Sequence, residues 1–213
     1  MRHSKKLCVR GPRLASLGIA VLALGTAMGA LAGIDVRAVY VNCSACHGAR
    51  GEGVPTTGAP PLAGLDAGYV ERQLNAFATG SRGARAGDTY GAAMRLTVSS
   101  LLAAAPDRKA MADYVATFQA GPFGPAGPTN NNGRNYFNAV CGACHGARGQ
   151  GNPALGTPRL IGLPAPYIAR QLAAFKSGQR GYRAGDSYGA QMKAVSSMLP
   201  NDAAAGMEPP SRR

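Results

Sequence analysis

Cys43-Ser44-Ala45-Cys46-His47-Gly48 and Cys141-Gly142-Ala143-Cys144-His145-Gly146 are the stretches on which the reading of this chain turns. Each holds a C-x-x-C-H run, the sequence form of covalent haem c attachment. Two thiols three residues apart lie on one face of a helical turn, so both can form thioethers with the two vinyl groups of one porphyrin. The histidine that follows then points at the iron as its proximal ligand. A lone C-x-x-C would also suit a redox pair, a zinc knuckle or a disulfide; the pentapeptide occurring twice, in matched surroundings, is far more specific. Zinc is the weakest alternative, because each motif offers at most three ligands and no second C-x-x-C or His cluster completes a tetrahedron.

Working outward, the two motifs are the most visible part of an internal repeat. A shift of 98 residues places Cys43 on Cys141 and Met94 on Met192 without a gap, and 33 of those 52 positions are identical. The identities include Pro60/Pro158, Leu62/Leu160, Tyr69/Tyr167, Arg72-Gln73-Leu74 against Arg170-Gln171-Leu172, Arg82/Arg180 and Arg85/Arg183. The chain is a tandem duplication. Between the copies, Gly121-Pro122-Phe123-Gly124-Pro125-Ala126-Gly127-Pro128 suits neither helix nor strand. The boundaries read as residues 1–32 export signal, 33–120 first domain, 121–132 Pro/Gly linker and 133–213 second domain.

Each copy reads as helical. Asp35 can cap a short helix through Val36, Val39 and Tyr40, and Asn131 or Asn132 one through Tyr136, Phe137 and Val140 to the second motif. Tyr69 to Phe77 and Tyr167 to Phe175 carry apolar residues at helical spacing, with Val70, Leu74 and Phe77 at i, i+4, i+7. A second Gly-rich loop then leads to Met94 or Met192. Asp107 to Gln119 reads as a closing helix with Met111, Tyr114, Val115 and Phe118 on one face. In the second copy Pro209-Pro210 stands where that helix would run, and two prolines cannot continue it. The expected architecture is therefore all-α, with a second domain lacking its C-terminal helix, less stable and with a weaker Met bond.

The composition fits haem domains. In 213 residues there are 30 Gly, 15 Pro, no Trp and only 6 % aromatic residues, so two small domains would have thin cores that a large flat prosthetic group would fill. Arg2, Lys5, Lys6, Arg10 and Arg13 precede an uncharged run from Leu14 to Ile34 that contains Ala30-Leu31-Ala32. That is the pattern of an export signal cleaved after Ala32, and it places the protein in the periplasm. The alternatives are an uncleaved N-terminal anchor, the run being about the ~20 residues a span needs, and peripheral membrane association. Cys8 would be discarded with the signal. Without the five head cations the formal charge falls from +13 to +8. Residues 33–128 then balance at +1 and residues 129–213 at +7. An exported chain rarely meets nucleic acid, so the basic half reads as steering acidic protein partners rather than as a nucleic-acid interface.

Histidine arithmetic limits the ligands. Only His3, His47 and His145 are present, and His3 goes with the signal, so bis-His ligation is excluded. The sixth position is left to Met, water or nothing. Met94 and Met192 stand at the same interval after their haem histidines, and a thioether is a soft iron ligand; apolar gap-filling is the ordinary role of Met. Met198, without a partner in the first copy, rivals Met192. Met111 reads as core. The proximal imidazoles need acceptors for their other N–H, and Pro60 and Pro158 either offer rigid carbonyls or are plain turn residues. Arg82/Arg180 and Arg85/Arg183 are candidates for pairing with propionates, or solvated surface cations. Tyr69/Tyr167 read as rings buried with a polar tip, and Phe77 and Phe175 as core.

Paired halves with Cys-x-x-Cys-His-Gly-Ala-x-Gly-x-Gly, Pro-x-Leu-x-Gly, Tyr-[Val/Ile]-x-Arg-Gln-Leu-x-x-Phe and a distal Met resemble the exported dihaem cytochromes of the cytochrome c(4) type. The resemblance spans about Cys43 to Phe118 and Gly133 to Met192. It implies two class I cytochrome c domains related by an approximate twofold, with two covalent haem c groups near their interface. It further implies His47/Met94 and His145/Met192 ligation, Pro60 and Pro158 carbonyls accepting from the ligand histidines, and Leu62 and Leu160 packed on the porphyrins.

The function this leads to is one-electron carriage between respiratory partners, such as an upstream dehydrogenase and a terminal oxidase, with no catalysis of its own. A cytochrome subunit of a periplasmic dehydrogenase complex is the alternative. A peroxidase-like enzyme would need an open iron and a spare His or acid beside it.

Overall fold

The computed structural model describes residues 33–121 and 131–200. The expected signal (1–32), most of the linker (122–130) and the altered C-terminal end, Met207 included, lie outside the described residues. Among those described there is no β-strand, only an isolated bridge between Asn152 and Thr157, and no helix is long and apolar enough to cross a membrane.

The first repeat has four helices: α1 (Val36–His47), α2 (Ala67–Ala78), α3 (Thr89–Leu101) and α4 (Ala105–Ala116). In the second, α5 (Asn131–Tyr136) runs through a π-helical turn (Phe137–Cys141) into α6 (Gly142–His145), followed by α7 (Ala165–Lys176) and α8 (Ser187–Met198). Asp35 caps α1, its carboxylate accepting from the N–H groups of Arg37 and Ala38, and Asp66 caps α2 through Tyr69 N. These side chains satisfy donors that a helix start leaves unpaired.

Three features differ from the sequence reading. First, α1 runs beyond Tyr40, through the whole haem motif to His47, though it remains shorter than the continuous helical stretch 131–145 of the second repeat. Second, Met94 and Met192 lie inside helices. The loops before them end at Asp88 and Asp186, whose carboxylates accept from Gly91 N and Gly189 N at 2.9 Å. Glycine is required here. A Cβ on Gly83 would overlap the Gly91 carbonyl, and one on Gly181 that of Gly189, while a Cβ on Gly91 or Gly189 would strike the Asp88 or Asp186 carboxylate, so glycine on both sides lets the loop close on the helix start.

Third, the two motif helices are out of register. The gapless repeat pairs Tyr40 with Asn138, yet Tyr40 is buried while Asn138 is exposed. The buried aromatic of the second repeat is Phe137, four residues before its first cysteine rather than three. A π turn holds one more residue than an α turn, and the one at Phe137–Cys141 absorbs that offset.

The first core joins Tyr40, Val70, Leu74, Phe77, Val98, Leu102, Met111 and Val115, with Met94, Cys43 and Leu62 partly buried against it. Met111 and Phe77 are thus core, as their spacing implied. Tyr40, Tyr114 and Phe118 meet edge to face with centroids 4.9–5.6 Å apart, fastening α1 to the end of α4. Buried Arg108 donates to the Leu102 and Ala103 carbonyls and to Asn75 Oδ1, satisfying the end of α3. In the second repeat Lys176 Nζ reaches the Leu199 carbonyl at 2.7 Å, where a smaller cluster joins Ile168 and Leu199 to Tyr136, Cys141, Leu163 and Leu172.

Candidate functional site

Two equivalent sites form at the ends of α1 and α6. In the first, Cys43 is half-buried and Cys46 exposed, with His47 buried at the helix terminus. In the second, Cys141 is half-buried, Cys144 exposed and His145 buried. Burial pushes the Cys43 thiol up, helped by neighbouring Cys46, and burial does the same to Cys141.

His47 Nδ1 lies 2.8 Å from the Pro60 carbonyl and His145 Nδ1 2.9 Å from that of Pro158. A carbonyl can only accept, so in each ring the proton sits on Nδ1 and the Nε2 lone pair is free. Burial lowers both imidazoles below their ordinary range, against the opposing pull of the proline carbonyls. A neutral, oriented ring with one open nitrogen is what metal binding needs. The proline loops are drawn in by backbone bonds from Gly53 N to His47 O and from Gly151 N to His145 O, both 2.7 Å.

Met94 is half-buried against the first core and Met192 half-buried on α8. Met198, at the end of α8, is 72 % exposed. Leu62 packs on the first core and Leu160 is half-buried.

The repeats meet through a reciprocal polar cluster that the sequence reading did not resolve. Arg82 donates to Gln73 Oε1 in its own repeat at 2.8 Å and to Gln171 Oε1 in the other at 3.1 Å. Arg180 donates to Gln171 at 2.6 Å and to Gln73 at 3.2 Å. Further out, Arg72 donates to the Gly156 carbonyl at 2.7 Å and Arg170 to that of Gly58 at 2.5 Å. Arg72 lies over the Tyr188 ring and Arg170 over Tyr90. Every pair maps on its counterpart by the same 98-residue shift, which is the local signature of a twofold. Only the second repeat adds Tyr182, whose hydroxyl donates to the Gly80 carbonyl at 2.6 Å.

The two arginine pairs are therefore distinct. Arg85 and Arg183 are exposed, Arg85 resting on the Tyr182 ring. Arg82 and Arg180 sit over Phe77 and Phe175, and their buried Nε–H groups have no partner. Burial, with Arg82 alongside, brings Arg180 down to about 10, although Tyr69 and Tyr167 pull the other way. Burial and the neighbouring Tyr167 raise Tyr69. Two close guanidiniums with orphan buried donors suit an anionic group with oxygen acceptors. The paired thiols beside a histidine with a free Nε2 fit a porphyrin that bears vinyl groups, and the arginine donors at the repeat boundary suit the carboxylates of such a group.

Comparison with known proteins agrees. The family model described as cytochrome c matches residues 35–119 and again 131–207. The thiosulfate dehydrogenase electron acceptor of Stutzerimonas stutzeri is 31 % identical over 156 residues, 72 % of either chain. Cytochrome c4 of Azotobacter vinelandii is 32 % identical over 179 residues, 78 % of this chain and 81 % of that one. The crystal structure of reduced recombinant cytochrome c4 from Pseudomonas stutzeri matches with a TM-score of 0.67 and 29 % identity, covering 83 % of this chain and 96 % of that. The chain belongs to the cytochrome c family, as an electron-transfer cytochrome of the tandem, dihaem c4 type with two covalent haem c groups.

Proposed function

We propose that this chain is an exported, periplasmic carrier that passes single electrons between a dehydrogenase and a terminal oxidase. The observation that carries the reading is the twice-built histidine: at both sites a proline carbonyl holds Nδ1 and leaves Nε2 free. In this reading Cys43 and Cys46, and Cys141 and Cys144, form the thioethers. His47 and His145 would hold the irons through Nε2, and Met94 and Met192 would supply the thioether ligands. The exposure of Met198 favours Met192 for the second site. Leu62 and Leu160 pack against the porphyrins. Arg82 and Arg180, with their orphan Nε–H groups, would be the donors to propionates. The bound haem supplies the one-electron redox chemistry; the side chains fix its ligands, burial and local charge, the levers on its potential.

A histidine and a methionine supplied to each iron would leave no ligand position for a substrate, which supports carriage over catalysis. A second reading, a cytochrome subunit working with a dehydrogenase, is favoured by the likeness to a thiosulfate dehydrogenase electron acceptor. Purification from the periplasm discriminates. A chain that elutes free, oxidises and reduces reversibly and turns over no peroxide supports the carrier. Stable co-purification with a dehydrogenase supports the second reading, and strong peroxide turnover by a high-spin haem contradicts both.

A further inference from the structure

The duplication has kept its cations and lost its acids. Across the aligned stretch Glu52, Asp66 and Glu71 stand opposite Gln150, Pro164 and Ala169, and only Asp88 keeps an acid counterpart, Asp186. All four arginines of the first copy are retained, and Pro61 and Ala78 are replaced by the cations Arg159 and Lys176.

One of these exchanges falls in the loop that follows the haem histidine. Glu52 Oε2 accepts from Arg50 N at 2.7 Å. Its carboxylate folds back over Gly48, the residue bonded to His47, so closely that a Cβ on Gly48 would meet Glu52 Cδ at 2.5 Å. Gln150 makes the same loop: Oε1 accepts from Arg148 N at 3.0 Å, and the amide covers Gly146 beside His145. The shape is shared and the charge is not. The backbone N–H groups of Glu52 itself and of Arg50 hold the Glu52 carboxyl below its usual range, so the group is ionised at neutral pH. A fixed negative charge beside a haem stabilises the ferric over the ferrous state and lowers its potential.

We propose that Glu52 holds the potential of the first haem down, and that Gln150, which makes the same loop without the charge, has no such effect on the second. Since Glu52 is exposed, its influence passes partly through water and weakens as salt rises. The proposal rests on the two-haem carrier described above.

The test is a redox titration of the full haem-loaded chain, following haem methyl NMR signals assigned to each repeat. Glu52→Gln is expected to raise the first haem's potential and leave the second in place, and Gln150→Glu to lower the second. Both shifts should shrink from low to high salt. Gln150 itself shows that this loop accepts glutamine, so the fold survives the exchange. A first haem that does not move upward in E52Q, or a shift indifferent to salt, overturns the proposal. Loss of the iron–sulfur charge-transfer band in the wild type would instead overturn the Met ligation, leaving the direction of the E52Q shift to decide the role of Glu52.

Discussion

Arg82 reaches across the repeat boundary to Gln171 Oε1 at 3.1 Å, and the symmetric donor, Arg180, reaches Gln73 at 3.2 Å. Each glutamine oxygen thus takes one N–H from either repeat, so removing one arginine unsettles both halves of the boundary. In the haem-loaded chain Arg180→Met, which keeps the bulk over Phe175, is expected to cost about 1–3 kcal/mol, the usual penalty for leaving buried polar groups short of a partner. Chemical denaturation measures it. Arg183→Met, at an exposed position, should stay within about 0.5 kcal/mol. Equal losses for the two variants would contradict the distinction between the pairs.

The π turn makes a register prediction. Phe137→Ala should destabilise the chain by about 3–5 kcal/mol, as expected for an aromatic core residue. Asn138→Ala, at the position that the repeat equates with Tyr40, should stay within about 0.5 kcal/mol. In the first repeat Tyr40→Phe removes a buried hydrogen bond to the Gly48 carbonyl, 2.9 Å long, and should cost roughly 0.5–1.5 kcal/mol. Thermal melting of the three variants checks the order; a larger loss for Asn138→Ala than for Phe137→Ala would refute the shifted register.

Acid should weaken the fold in a defined direction. Burial holds His47 and His145 below the ordinary imidazole value of 6.5, so an unfolded chain takes up protons that the folded one refuses. Their contribution is intact above that value and is lost as pH falls through it toward the lower folded values. Iron at Nε2 would strengthen the effect, because a ligated ring cannot protonate there. Urea midpoints between pH 7.5 and 5 should fall with pH; a flat or rising series would contradict the neutral, buried rings.

How far the sequence could be read depends on the kind of signal. The haem motifs are local chemistry, and Asp35, Asp66 and the Val70–Leu74–Phe77 spacing are local structure, so all of these were legible. Helices α3 and α8 were not, because Gly91 and Gly189 carry poor helix propensity and are needed where the Asp88 and Asp186 carboxylates fold onto the helix start. The Phe137 register was hidden because a gapless repeat cannot display an extra residue within a helical turn. Arg82 and Arg85 look alike in sequence; only the meeting of the repeats buries one and leaves the other in water.

The pairing of Met94 and Met192 with the two histidines is the central claim, and the ferric iron–sulfur charge-transfer band tests it most directly. Recorded on the exported chain carrying two covalent haems, its intensity should correspond to two ligated irons, fall by half in Met94→Ala and in Met192→Ala, and stay unchanged in Met198→Ala. A band that survives in full in either of the first two variants, or is lost with Met198, would contradict it.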